Sequence, residues 1–253
     1  MLTFFQDFLV IVITVACSLL FMAMLNRVWP WENRRAHNDL IGWQLSILGT
    51  TYAVILGFML YTVWTNFGEA DLNVDLEANA LLNVYLLADG LPEQERAKVQ
   101  ELAHLYAETA IERDWPEMAR DRVPNRTVEI NSQMWRTLMS VKTASPTQLT
   151  AEDHALYELS ALTEHRRTRV LQSTSELPKV LWCVLIVGGI LTIVSSCMFG
   201  SGNSMLHTMQ VFAFSLLIAL VLVAIANINR PFQGGVHVSD YAFRRALENM
   251  RNP

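Results

Sequence analysis

The sequence predicts an all-α polytopic membrane protein: four transmembrane helices and a helical cytoplasmic domain, a bestowal of three observations. Hydrophobic residues make up 52% of the chain and charged residues only 17%, and the apolar excess is gathered in blocks. Four blocks, residues 4–25, 40–64, 180–199 and 205–228, are long enough to cross a ~30 Å hydrocarbon core at ~1.5 Å per residue. Between the second and third blocks the apolar spacing alternates threes and fours, with no period-two pattern competing. The organisation that follows is a transmembrane hairpin over 1–66, a helical domain over 67–177, a second hairpin over 178–229 and a tail over 230–253.

The first span carries little polarity beyond Gln6, Asp7, Thr14 and Ser18. No Lys or Arg precedes it, and Asn26, Arg27 and Trp29 stand where a secretory signal needs small residues, so it stays in the mature protein. Trp29, Trp31 and Trp43 suit the membrane boundary, and Pro30 breaks the helix between them. His37, Asn38 and Asp39 sit where they either cap span two or touch a permeating ion.

From Leu40 to Asn66 the chain has no Lys, Arg, Asp or Glu. Gly49, Ala53 and Gly57, spaced by four, share a face that lets another helix approach closely. Gln44, Thr51 and Thr62 fall within ~20° of one another on a second face, flanked by Ile55 and Phe58. One face is a packing surface and the other is a candidate pore lining; the competing reading is threonines bonded to their own helix carbonyls.

Beyond the span the helix continues through a heptad-like seam of Ala70, Val74, Glu77, Leu81, Val84 and Ala88. A charge on such a seam must be paired, hydrated or protonated. Glu77 is therefore an interface or vestibule charge, or one half of an interhelical salt bridge to Arg166, Arg167 or Arg169. Gly90 is expected to end the helix in a left-handed cap, and Pro92 to open the next. Three helices follow, over 93–113, 127–141 and 150–176, with a break at Asp114, Trp115 and Pro116, and a capping-box-like start at Thr150 and Asp153. His154, Glu158 and His165 share a face, but neighbouring arginines and the lack of another close ligand favour a solvated or inter-subunit polar face over a metal centre.

Spans three and four form a hairpin closed by GSGNS, and Gly188 with Gly189 marks close packing or a kink. Cys17, Cys183 and Cys197 lie within spans, so neither a disulfide framework nor a zinc site is expected. Arg166, Arg167, Arg169, Lys179, Arg230, Arg244 and Arg245 outnumber Arg27, Arg34 and Arg35 on the opposite side, which makes both termini cytoplasmic. A net charge of -5 without a basic patch argues against nucleic acid. No phosphate loop, nucleophile elbow, zinc-protease motif or dinucleotide fingerprint occurs, so no catalytic residue, metal, cofactor or enzyme activity is expected.

Several stretches carry a family likeness: AHNDLIG from Ala36, LGTTYAVILGFMLYTVW from Leu48, EADLNVDLEANAL from Glu69, the Arg-rich run into ELPKVLW, and INRPFQGG from Ile228. Together they resemble the bestrophin-like family of bacterial membrane proteins, remotely related to true bestrophins. The resemblance implies a ring of subunits, a pentamer by analogy, with the second span lining a central pore and Ile55 and Phe58 at its neck. Asn229, Pro231 and Phe232 resemble the turn of the bestrophin calcium-binding region, with Arg230 inserted and only Asp240 close behind.

The leading expectation is an oligomeric ion channel or channel-like pore in a bacterial inner membrane, its partners being the lipid bilayer, further copies of itself and ions. The alternative is a membrane-anchored helical scaffold or sensor that binds a partner protein through its cytoplasmic domain.

Overall fold

The computed structural model describes residues 4–251 except residue 143. In chain order its main helices are α1 (Phe4–Val28), α2 (Trp31–Arg35), α3 (Asn38–Leu87), α4 (Glu93–Thr109), α5 (Trp115–Ala119), α6 (Arg126–Leu138), α7 (Pro146–Thr174), α8 (Lys179–Cys197), α9 (Ser204–Ile228) and α10 (Tyr241–Arg251). No strand occurs among the described residues. Stretches of α1, α3, α8 and α9 are long and apolar enough to cross a membrane. The chain divides into two compact units, Met1–Thr65 with Glu176–Asn229, and Asn66–Ser175 with Arg230–Pro253.

In the first unit α1 packs against α8 and α9, and α8 against α9. Tyr52, Leu56, Val63, Leu177, Leu185, Ile218 and Ile225 form its main buried cluster. Much of the remaining apolar surface stays exposed, as lipid-facing helices require. Polar side chains turn to backbone carbonyls: Thr14 donates to Val10 at 2.8 Å, Ser18 to Thr14 at 2.7 Å and Thr192 to Gly188 at 2.8 Å. Helices α8 and α3 approach closely at Gly188 and Gly189, where an added Cβ would meet the Tyr52 side chain at 2.6 and 2.9 Å. Tyr52 in turn donates to the Leu185 carbonyl at 2.8 Å.

The second unit is built on the predicted seam. Ala70, Val74, Glu77, Leu81, Val84 and Ala88 are all buried, against α4, α6 and α7 residues such as Tyr106, Met134 and Leu159. Amphipathic α10 adds Phe243, Ala246 and Met250 to the same core.

Three local expectations change. Gly90 does not take a left-handed cap: it closes a 3-10 turn over Ala88–Gly90, and a Cβ there would lie 2.5 Å from that of Ala151. Close approach of α7, not a positive φ, is what requires glycine. At Asp114, Trp115 and Pro116 the helix does not break. It widens into a π turn over Ala110–Asp114 and continues as α5, which makes room for a proline that lacks an N–H and collides with the carbonyl four residues back. Helix α7 starts at Pro146, not Thr150. Ser145 caps it by accepting from the Gln148 N–H at 3.2 Å, Pro146 occupies the first turn, and Thr150 bonds back to the Pro146 carbonyl at 3.0 Å.

Candidate functional site

Helix α3 carries the residues of interest, and its burial pattern sorts them. Ile41, Tyr52, Leu56 and Val63 are buried and form the arc that packs within the chain. On the helical wheel this arc lies ~90° from the stripe of Gln44, Thr51 and Thr62 and ~90° from that of Gly49, Ala53 and Gly57. The two stripes therefore flank the packed face on opposite sides. Gln44, Thr51 and Phe58 are exposed, whereas Ile55 and Thr62 are half-buried. Ile55 leans against the buried cluster and Phe58 projects freely at 65% exposure, which separates two residues that the sequence treats as a pair. Thr62 donates to the Phe58 carbonyl at 2.8 Å.

The two glycines of the small-residue stripe stand clear of other helices among the described residues. A Cβ built on Gly49 or Gly57 meets nothing within 4 Å. With Ala53 these glycines floor an apolar groove of about 290 Å³, walled by Phe214, Leu217 and Val221 of α9.

At one end of this unit the two short connections interlock. Asn38 donates to the Gly200 carbonyl and accepts from its N–H, each at 2.8 Å. Its side chain serves the loop opposite, bonding to both backbone groups of Gly200. Arg34 is fully buried, donating to the Cys197 carbonyl at 2.7 Å and to Asn26 Oδ1. No carboxylate pairs with it among the described residues, and its Nε has no partner. Gly200 sits so close to this loop that a Cβ would lie 2.5 Å from the Arg35 nitrogen. In the sequence Arg34 is only a boundary charge, and nothing in its local spacing marks it as buried.

Farther along α3, Glu77 is no vestibule charge on a free surface of this chain. It is fully buried, accepting from Arg169 Nε at 2.7 Å, Arg169 Nη2 at 3.0 Å and Tyr106 Oη at 2.7 Å. Arg169 Nη2 also reaches Asp114 Oδ2 at 3.1 Å, an atom that Thr127 Oγ1 approaches at 2.8 Å. The guanidinium lies 5.1 Å from the Trp115 ring centroid, in cation–π range. Burial raises the Tyr106 pKa well above the usual phenol value, reinforced by the Glu77 carboxylate. Burial opposes the Arg169 charge, yet Glu77 and Asp114 outweigh it and hold that guanidinium firmly protonated. The cluster is a fully buried tie between α3, α4, the π turn and α7, not an exposed acid–base site. Of the three arginines offered by the sequence the partner is Arg169. Asp114, the second carboxylate, was hidden because the proline two residues on read as a helix break.

The remaining polar candidates have local roles. His165 Nδ1 contacts Asn73 Oδ1 at 2.9 Å, away from His154 and Glu158, which border a surface hollow with Asn83. Asn229 Oδ1 accepts from the Leu177 N–H at 2.9 Å, and Asp240 pairs with Arg244 at 2.7 Å.

Comparison with known proteins places this geometry in a family. Residues 12–243 match the Bestrophin-like domain. The fold is similar to that of a bacterial bestrophin homolog from Klebsiella pneumoniae, seen in crystal structures of two single-substitution variants. One gives a TM-score of 0.75 at 14% identity, covering 96% of this chain and 99% of the other. The second gives 0.72 at 15% identity, covering 95% and 99%. A crystal structure described as a membrane protein gives 0.64 at 15% identity, covering 96% and 97%. No curated protein matches the sequence. With the family domain spanning most of its length, four apolar helices and this fold, the chain is a membrane protein of the bestrophin-like family.

Proposed function

We propose that the protein is an oligomeric ion channel or channel-like pore, a pentamer by family analogy, with α3 of each copy facing the central path. The observation that carries this reading is the exposure of Gln44, Thr51 and Phe58 on a helix whose adjoining face is already packed. A polar stripe that stays unpacked in the single chain gains a solvent if it lines water, whereas in hydrocarbon its polar groups lose one. Phe58, with Ile55 beside it, supplies an apolar constriction that blocks ions by dewetting. The groove floored by Gly49, Ala53 and Gly57 receives a helix of a neighbouring copy, since small residues there leave room for close backbone approach. The bacterial inner membrane, with both termini cytoplasmic, completes the proposal.

The test is the oligomeric state of the purified protein, followed by ion flux in liposomes. Phe58→Ala is expected to assemble as the parent does and to raise flux, with Ile55→Ala having a smaller effect because that side chain is half-buried. Gly57→Leu has open space around it in the single chain, so lost assembly reports on a neighbouring copy. A monomer, or an assembled Phe58→Ala protein as silent as the parent toward several anions and cations, rejects the pore and favours the scaffold reading.

A further inference from the structure

The loop between α5 and α6 has a feature that the pore does not use. Arg120, Arg122 and Arg126 are all exposed, as is Val123 at 61%, whereas Pro124 beneath them is buried. None of the three arginines has a carboxylate partner among the described residues. The loop is nevertheless well anchored. Asp121 takes a left-handed conformation, φ 60°, in which its carboxylate accepts from Arg230 Nη1 at 3.2 Å and Gln233 Nε2 at 3.0 Å. Arg166 Nη2 donates to the Pro124 carbonyl at 3.3 Å. The turn that holds Asp121 is itself pinned by Phe232, 3% exposed and stacked edge-on against Trp115.

Chain connectivity fixes where this happens. Helix α9 ends at Ile228, so Arg230 follows its last residue by at most ~8 Å of chain, at the edge of the bilayer. Its exposed pair with Asp121 contributes little energy, but it ties the arginine loop to a residue two positions beyond α9. Cationic side chains around an exposed valine, next to a membrane boundary, match an anionic lipid surface: guanidinium forks bind phosphate oxygens, and the aliphatic group enters the headgroup region.

We infer that Arg120, Arg122, Val123 and Arg126 form a docking surface for the headgroups of anionic phospholipids. Asp121 and the turn from Arg230 to Gln233 tie this surface to the chain that leaves α9. The proposal needs the membrane placement of α9 but not the pore.

The full chain is reconstituted in nanodiscs of phosphatidylcholine, with or without phosphatidylglycerol, and trypsin cleavage is followed by mass spectrometry. Cleavage after Arg122 is expected to slow about tenfold or more in the anionic discs and to recover as salt is raised. Cleavage after Lys142, exposed beyond the other end of α6 and ~20 Å of helix away, serves as the control and should not change. In parallel, the parent should melt at a higher temperature in anionic discs than in neutral ones, and the combined R120Q, R122Q, R126Q variant should lose that difference. Equal cleavage after Arg122 in the two lipids overturns the proposal, as does a melting difference that survives in the variant. Protection by inorganic phosphate in neutral discs, equal to that by anionic lipid, overturns it in favour of a soluble phosphate site.

Discussion

Each unit buries one arginine completely, and the two are stabilised differently. Arg169 in the second unit faces the carboxylates of Glu77 and Asp114. Among the described residues Arg34 in the membrane unit has only neutral acceptors, the side chain of Asn26 and the carbonyl of Cys197, the last residue of α8. Burial pushes the Arg34 pKa down, while the two acids keep Arg169 charged. A helix C-terminus presents about half a negative charge, enough to favour a guanidinium near the membrane boundary without importing an acid. In the second unit two carboxylates supply a full counter-charge instead. The two sites should therefore fail in different ways when broken.

The largest effect is expected for Arg169→Met, which leaves two carboxylates buried without a cation. A loss of about 3–5 kcal/mol should appear in chemical denaturation of the detergent-solubilised protein, read by tryptophan fluorescence. Glu77→Leu should cost a comparable amount, because it strands the Arg169 fork and the Tyr106 hydroxyl. From the sequence alone, Glu77→Leu looks capable of stabilising the assembly by deleting a costly buried charge; the pairing reverses that expectation. If Glu77→Leu melts at or above the parent's temperature, the ion cluster is not holding this core together.

Arg34→Met is expected to cost less, about 1–3 kcal/mol, since it orphans neutral acceptors instead of charges. A loss equal to that of Arg169→Met would show that Arg34 has an ionic partner outside the chain and would erase the contrast.

The smallest effect concerns alkaline pH. Because the folded Tyr106 pKa lies well above that of the unfolded phenol, its contribution is fully present below pH ~10 and falls as pH rises past that value. Tyr106→Phe should flatten this decline in a melting series from pH 8 to pH ~11. An unchanged alkaline slope would exclude Tyr106 as its source.

The contrast also explains what the sequence made legible. The seam from Ala70 to Ala88 was readable because alternating steps of three and four put one face inward whatever packs against it. That Glu77 needed a partner followed from its place on the seam. Which partner did not, since Arg166 and Arg169 are neighbours on one helix face and only the packing of α7 selects between them. The π turn was invisible because Pro116 signals a break equally well. On α3 the two stripes were visible as spacing, but their position beside the packed arc depends on Tyr52 meeting Gly188 and Gly189 from a distant span. Arg34 had no signal at all, because its acceptors are a backbone carbonyl of α8 and an amide in the preceding helix.

The central claim, that α3 presents its polar stripe to an aqueous path, is tested most directly by a cysteine at Thr51. Cys17 and Cys183 are exposed and are first replaced by serine; Cys197 is buried and stays. Membrane-impermeant thiol reagents react with the cysteine thiolate, which forms only where water reaches. With the oligomer reconstituted in liposomes, Thr51→Cys is predicted to be modified from the aqueous phase and its ion flux to change as modification proceeds, whereas cysteine at Ala53, in the groove, stays unmodified. A Thr51→Cys thiol that remains unreactive in an assembled oligomer, or one that reacts with no change in flux, contradicts the account.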